Sequence, residues 1–458
     1  MIPQRPIHRL ALLTLEAATA HGIHAGQGDA THDVLLVRDA NGLPALPGSS
    51  LAGVLRRRLA HTAGDAASQL LFGHEEGASL LQVGWGLAHD SRNQAREGLV
   101  PLAEQERDAI LPLLAAPFPL LRDRVRLNAR GTAHDTGKYD VTGVFAGTRY
   151  TLPLRLWCDG GASADAWTAL LAVLARPVRL GHGTRSGFGL FHPVRLASAS
   201  WDLRDPEARR AFLGRSRSRN DWQGLAEHAL TDDAVDTVRL PLQAEGAWRI
   251  GNITRTRDTG EVQTFLREPR LHWQNGSGRL GPLAPVIPGS GVKGALRHRT
   301  AFHLACLEGR FAGTGMPADD TGLDTLFGNA DPEQASAGLV LFSDACLEGC
   351  RTVTRMHNAI DRFTGGTRDG LLFSEEVIWG QGFTLRLEVA DRHALDALAQ
   401  TRPTVLAAFT RALEDLAAGW LPLGARGSQG QGVFLAENDQ WKATLPWSLS
   451  TPCAGVTS

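Results

Sequence analysis

The sequence predicts an α+β protein made of two tandem copies of one ferredoxin-like module, and three observations carry that expectation. A ten-residue phrase occurs twice, as Pro47-Gly-Ser-Ser-Leu-Ala-Gly-Val-Leu-Arg56 and Pro288-Gly-Ser-Gly-Val-Lys-Gly-Ala-Leu-Arg297. Further landmarks follow each copy in the same order: Leu71-Phe72-Gly73 and Leu326-Phe327-Gly328, then the glycine loops Gly181–Gly189 and Gly424–Gly432. Apolar runs and helix signals also alternate in the same succession in both halves. Landmarks repeated in order mark a duplicated unit, and 458 residues suit two domains. The expected division is 1–202 for the first domain, 203–234 for an Arg-rich linker or domain edge, and 235–458 for the second.

In each half an apolar segment, Leu10 to Leu15 or Val238 to Leu242, reads as the first strand, and a second apolar stretch follows at Val34 to Val37 or near Phe265-Leu266. The shared phrase reads as a helix start. Pro and Gly break what precedes, and Ser49 or Ser50, like Ser290, is a favourable N-cap. Later strands are expected at Leu81 to Trp85 and Thr151 to Trp157, and at Leu339 to Phe342 and Phe383 to Val389. A helix comes next, Ala162 to Ala175 or Thr404 to Ala418, and then the glycine loop and a last strand. This order of strand, helix, strands, helix, strand is the ferredoxin-like one, shared with RNA-recognition modules.

Composition narrows the function classes. With 43% hydrophobic and 21% charged residues the chain can bury two cores. It has no apolar run long enough for a membrane span and no signal-peptide core at Met1-Ile-Pro-Gln-Arg5, so a cytoplasmic location without membrane partners is expected. The five cysteines are scattered, and Cys346 and Cys350 lack the second pair that a zinc site needs. Net charge is −1, yet of 47 basic residues only Lys138, Lys293 and Lys442 are lysines. Arginine is the residue of bidentate phosphate contacts and of stacking on bases, and it clusters at Arg56-Arg57-Arg58 and across Arg215 to Arg219.

A helix start offers unpaired N–H groups and a positive dipole end, so the Pro-Gly-Ser phrase is a candidate phosphate site. Lys293 and Arg297 share a helix face with Ser290, with Arg56 as the first-copy equivalent, and Gly294 would let a ligand backbone approach. The glycine loops lack the spacing of a dinucleotide fingerprint and the Gly-Lys-Ser/Thr of a P-loop, which excludes those nucleotide sites. Instead Gly181, Gly183, Arg185, Ser186 and Gly187, and in the second copy Gly424, Arg426, Gly427, Ser428 and Gly430, could line a phosphodiester chain. Gly187-Phe188-Gly189-Leu-Phe191 also resembles an RNA-binding strand motif.

Together these motifs resemble the RAMP superfamily of CRISPR-associated proteins, and within it the crRNA-binding backbone subunits of type III effector complexes. The resemblance covers nearly the whole chain, twice. It implies two fused backbone subunits that bind guide crRNA, target RNA and other subunits of the complex. Each would have a ferredoxin-like palm and a β-hairpin thumb, at Arg124 to Gly147 and Arg355 to Gly382.

The same resemblance implies cleavage of target RNA by a catalytic Asp with a divalent metal such as Mg²⁺. Asp33 falls on that position, with Asp39 as the nearest alternative. One carboxylate suffices to hold a hydrated Mg²⁺, which keeps most of its waters. In the second copy Val262 aligns with Asp33, leaving Asp258 and Glu261 as displaced candidates, while in the first copy Ala52 replaces Lys293. The expected division of labour is therefore cutting in the first copy and tighter guide holding in the second. Two alternatives remain: a non-catalytic crRNA-binding subunit, or a precursor crRNA processing endoribonuclease using His32 and His134.

Overall fold

The computed structural model describes residues 5–24, 35–127, 133–232, 236–251, 253–257, 260–310, 320–329, 333 and 335–447; for 133–136, 253–257 and 260–261 it describes the backbone. In the first half the principal elements are β1 (Ile7–Ala17), α1 (Gly48–Ala63), β2 (Leu81–Val83), β3 (Arg149–Cys158), α2 (Ala162–Leu174) and β4 (Leu190–Asp202). Their antiparallel order is β4-β1-β3-β2. The second half repeats it with β5 (Thr237–Ala244), α3 (Gly289–Leu307), β6 (Val340–Phe342), β7 (Phe383–Val389), α4 (Pro403–Ala417) and β8 (Phe434–Leu435). There the order is β8-β5-β7-β6, again antiparallel throughout.

Side-chain alternation explains the two layers. On β1, Ala11, Leu13 and Leu15 enter the same core as Leu51, Leu55 and Leu59 of α1 and Trp167 and Leu170 of α2. These helix positions recur at the spacing of one helical face, so one strand face and one helix stripe close on each other. The second core has Leu240 and Leu242, Val292 and Leu296, and Phe409 and Leu413 in the equivalent places. Each half thus has a core, and Leu271 of the second half joins the first one, with Trp273 and Leu280 packed against it.

An antiparallel strand pair precedes the third strand of each sheet, as a separate two-stranded sheet in the first half and as part of a five-stranded sheet in the second. The first pairs Leu120–Leu127 with Ala133–Gly143, and the second pairs Thr352–His357 with Phe373–Trp379. Both begin a few residues before the expected hairpins. Residues 203–232 hold a helix, Pro206–Gly214, and a strand, Ala226–Glu227, that pairs with β4 at the edge of the first sheet. Among the described residues the apolar stretch around Leu36 makes single bridging pairs, His24 with Leu36 and Arg38 with Pro44, so it is less regular than its composition suggests.

The halves meet in a polar seam. Arg122, on the first hairpin and 2% exposed, donates to Glu268 from Nε (2.7 Å) and Nη2 (2.6 Å), and to Asp344 from Nη1 (2.6 Å). Arg179 makes a second clamp, donating to both carboxylate oxygens of Glu388 (3.0 and 3.1 Å), to the Phe342 carbonyl and to Ser343 Oγ. Burial opposes the charge of Arg122, but Asp344 and Glu268 more than offset this and raise its pKa. Burial likewise opposes the charge of Glu388, and Arg179, followed by Arg386, draws its pKa below the ordinary glutamate range.

Candidate nucleic-acid interface

The two phrases form helix starts, but their caps differ from expectation. Pro47 and Pro288 occupy the N-cap positions without side-chain cap bonds, so Ser49, Ser50 and Ser290 lie inside the first turn. The reason is a close approach. A Cβ on Gly48 would sit 2.1 Å from the Val83 carbonyl oxygen, and one on Gly289 would sit 2.9 Å from Gly187 Cα, so only glycine fits directly after the proline. The later shared glycines of the phrases, Gly53 and Gly294, have nothing within 4 Å of the Cβ position. Open space therefore stands before the same helix face in both copies.

What flanks that space differs. In the second copy Gly289 N–H donates to Asp344 Oδ1 (2.8 Å), so a carboxylate of the chain itself occupies part of the helix start expected to hold phosphate. Arg297 is engaged too, donating to Asp324 Oδ1 (2.7 Å) and to the Gly328 carbonyl (2.9 Å), which fixes the Leu326-Phe327-Gly328 turn. Lys293 makes no hydrogen bond or ion pair among the described residues. Burial, then Arg297 and Arg185, push its pKa down to about 8. A half-buried ammonium pressed by two guanidiniums gains from an incoming anion, because the anion relieves both the repulsion and the loss of hydration. In the first copy Ala52 stands in its place and Arg56 is exposed.

The glycine loops separate in role. Gly187 (φ 118°) packs where an added Cβ would lie 1.7 Å from Asp344 Oδ1, and it bridges Ser343. Arg185 donates from Nε to the Gly338 carbonyl (2.7 Å), and Gly181 abuts the Gly22 carbonyl, while Gly183 is less crowded. This loop is thus seated on the second half, with Arg185 beside Lys293. Phe188 and Phe191 are fully buried, so they are core residues and not a base-stacking strand motif; Arg122 and Arg124 lie over the Phe188 ring. In the second loop Arg426 turns inward to buried Glu375 (3.0 Å), whereas Ser428 and Gly430 are exposed, with nothing near the Cβ position of Gly430. Gly424 and Gly427 pack against Arg249 and Pro422.

Asp33, His32 and Asp258 lie outside the described residues, as do the side chains of His134 and Glu261. The base of the Asp33 loop is described. His24 and Leu36 bridge, and His24 Nε2 donates to the Thr142 carbonyl at the foot of the first hairpin (3.1 Å). The His24 ring lies 5.0 Å from that of His182 in the glycine loop. The ends of this loop therefore emerge where hairpin and glycine loop converge. Asp39, the alternative, is a turn residue, its Oδ1 accepting from Asn41 N–H (2.8 Å) and Leu43 N–H (3.0 Å). No cluster of three metal-ligating side chains occurs among the described residues, and Cys346 and Cys350 are free thiols. The seam residues Arg122, Arg179 and Asp344 carry no motif, and Arg122 lies in a strand that also holds Asp123, Arg124 and Arg126, so its charge does not single it out.

A family model for the RAMP superfamily matches residues 14–192 and again 268–434. The chain belongs to the RAMP superfamily. Each matched stretch contains a Leu-Phe-Gly turn, a Pro-Gly-Ser phrase and a glycine loop, so the internal repeat is a repeat of the RAMP unit. Among solved structures, a chain of a type III-B Cmr-beta complex bound to cognate target RNA is similar at 14% identity and a TM-score of 0.31, over 40% of this RAMP protein and 96% of that chain. A chain of the apo Cmr-beta complex gives 13% and 0.30 over the same shares. No curated protein matches. No described helix is long and apolar enough to cross a membrane.

Proposed function

We propose that this RAMP protein is a fused double backbone subunit of a type III CRISPR ribonucleoprotein. Its two modules, 1–202 and 235–458, are read as ferredoxin-like palms, supported by the shared strand order, with the two hairpins as thumbs and 203–234 as the edge between them. The complex would act in the cytoplasm. Guide crRNA lies along the seam, and the observation that carries this is Lys293, a cation without an acidic partner among the described residues, set between Arg185 and Arg297 beside the open face of Gly294. Arg56, Ser49 and Ser50 offer the corresponding, weaker surface in the first copy, and Ser428 and Gly430 the exposed part of the second loop.

Target RNA is cut in the first module, with Asp33 as the residue that would hold a divalent cation such as Mg²⁺ through a hard carboxylate oxygen. The cation would supply charge stabilisation at the scissile phosphate. Purified complex incubated with labelled complementary RNA should cut in Mg²⁺ and stop in EDTA, and Asp33→Ala should abolish cutting. Intact cutting in Asp33→Ala, with loss in Asp258→Ala or Glu261→Ala, would move the site to the second module. Cutting of precursor guide RNA that persists in EDTA would replace the proposal with processing chemistry.

A further inference from the structure

We propose that the first module carries a second RNA site, for single-stranded RNA, on the sheet face turned away from α1. Pairing sets Trp157, His8 and Trp201 in one row across β3, β1 and β4, and strand alternation puts Arg155, two residues from Trp157, on the same face. The helix Pro206–Gly214 crosses this face and seats Phe212 on His8, with ring centres 4.6 Å apart. The chain then continues directly into the arginine cluster. The Arg215 guanidinium lies over Trp201 (5.3 Å) and Phe212 (5.1 Å), and its Nε is buried without a hydrogen-bond partner. Arg217 is exposed, and Arg219 is tied to the Trp85 carbonyl (2.6 Å) and to Glu97.

The charge on this face is not balanced. Arg155, Arg215 and Arg217 have no acidic partner among the described residues; Glu97 neutralises Arg219 alone. Burial, then Arg155 and Arg217, lower the pKa of Arg215, the signature of guanidiniums crowded together without a carboxylate. Trp157 remains 36% exposed at the edge of the aromatic row. His8 is buried beneath Phe212, so Trp157 is the exposed ring on which an unpaired base would stack, while the adjoining guanidiniums take the phosphates. An acidic protein surface would use the arginines but would leave the exposed ring face without a counterpart, which favours RNA. The site uses none of the seam side chains, so it stands apart from the guide-binding proposal.

The test is fluorescence anisotropy of the full chain with a labelled 12-residue oligouridine, in the wild type and in a Lys293→Glu background that weakens the seam. Arg217→Glu and Arg155→Glu should each weaken binding about tenfold and lower the slope of log K against log salt by about 0.7 for each phosphate no longer neutralised. Arg155→Lys should restore most of the affinity, and ultraviolet crosslinking should label the peptide holding Trp157. Arg217→Glu is decisive if Arg155→Glu lowers the melting temperature, since Arg217 is exposed. Unchanged affinity and slope in folded Arg217→Glu would overturn the proposal. So would loss of association with an acidic subunit while oligouridine binding stays at the wild-type level. Failure of guided target cleavage would leave this result untouched.

Discussion

The two glycine loops descend from one sequence pattern yet do different things. The first docks: Gly187 lies against Asp344 and Gly289, and Arg185 reaches the Gly338 carbonyl. The second faces outward, with Ser428 and Gly430 exposed and Arg426 folded back onto Glu375. The position two residues past the second strand of each sheet shows the same divergence. In the second half it is Asp344, which receives Arg122 and caps α3; in the first it is Trp85, whose carbonyl receives Arg219 from the chain's own edge segment. A repeated motif therefore specifies a fold, while its neighbours decide whether that fold docks or stays open.

The largest effect is expected at Arg122. Arg122→Ala leaves Glu268 and Asp344 buried without their partner, and removing one member of a buried pair costs about 3–5 kcal/mol. A thermal melt should show the loss, and hydrogen exchange should show the first hairpin and the 343–346 strand end opening together. Gly187→Ala against Gly430→Ala sharpens the contrast between loops. The first must displace a carboxylate and should cost several kcal/mol, while the second incurs only the left-handed backbone strain of about 1–2 kcal/mol. Equal losses in denaturant melts would show the two loops to be equivalent after all.

Smaller effects test the asymmetry of the phrases. Lys293→Ala should weaken guide RNA binding about tenfold, the scale of one charge-assisted hydrogen bond. Its pH dependence has a definite sign. With a free-state pKa of about 8, Lys293 is charged at pH 7, so affinity should be level below pH 7 and fall as pH rises through 8 toward 9; Lys293→Arg should remove that slope. Smallest of all, Ala52→Lys should strengthen binding a few-fold, since it puts a cation into the equivalent turn.

Much of the fold is legible because it rests on local signals. Pro47 and Pro288 mark helix starts, alternating Leu13 and Leu15 mark a buried strand face, and Phe383, Leu385, Leu387 and Val389 alternate as a strand face does. The caps are not, because the constraint on Gly48 and Gly289 is a long-range contact with a strand end, which a local reading of Ser49 and Ser290 cannot see. The seam is illegible for the same reason. Arg122 and Arg297 look alike as arginines, but one is buried between two carboxylates 146 and 222 residues away and the other holds a turn within its own module. Asp33 stands out by family pattern, and the described structure bears on it only through the anchoring of its loop at His24 and Leu36.

The Arg122 clamp has a consequence for how the protein is made and counted. Joining two modules in one polypeptide turns their meeting into an intramolecular event, at an effective concentration no separate pair would reach in a cell. Buried ionic contacts, whose desolvation makes them weak glue between free partners, become tolerable under that tether and serve as alignment pins. The ratio of the two modules is thereby set at translation, and so is the register between the surfaces that the two glycine loops and the two helix starts present.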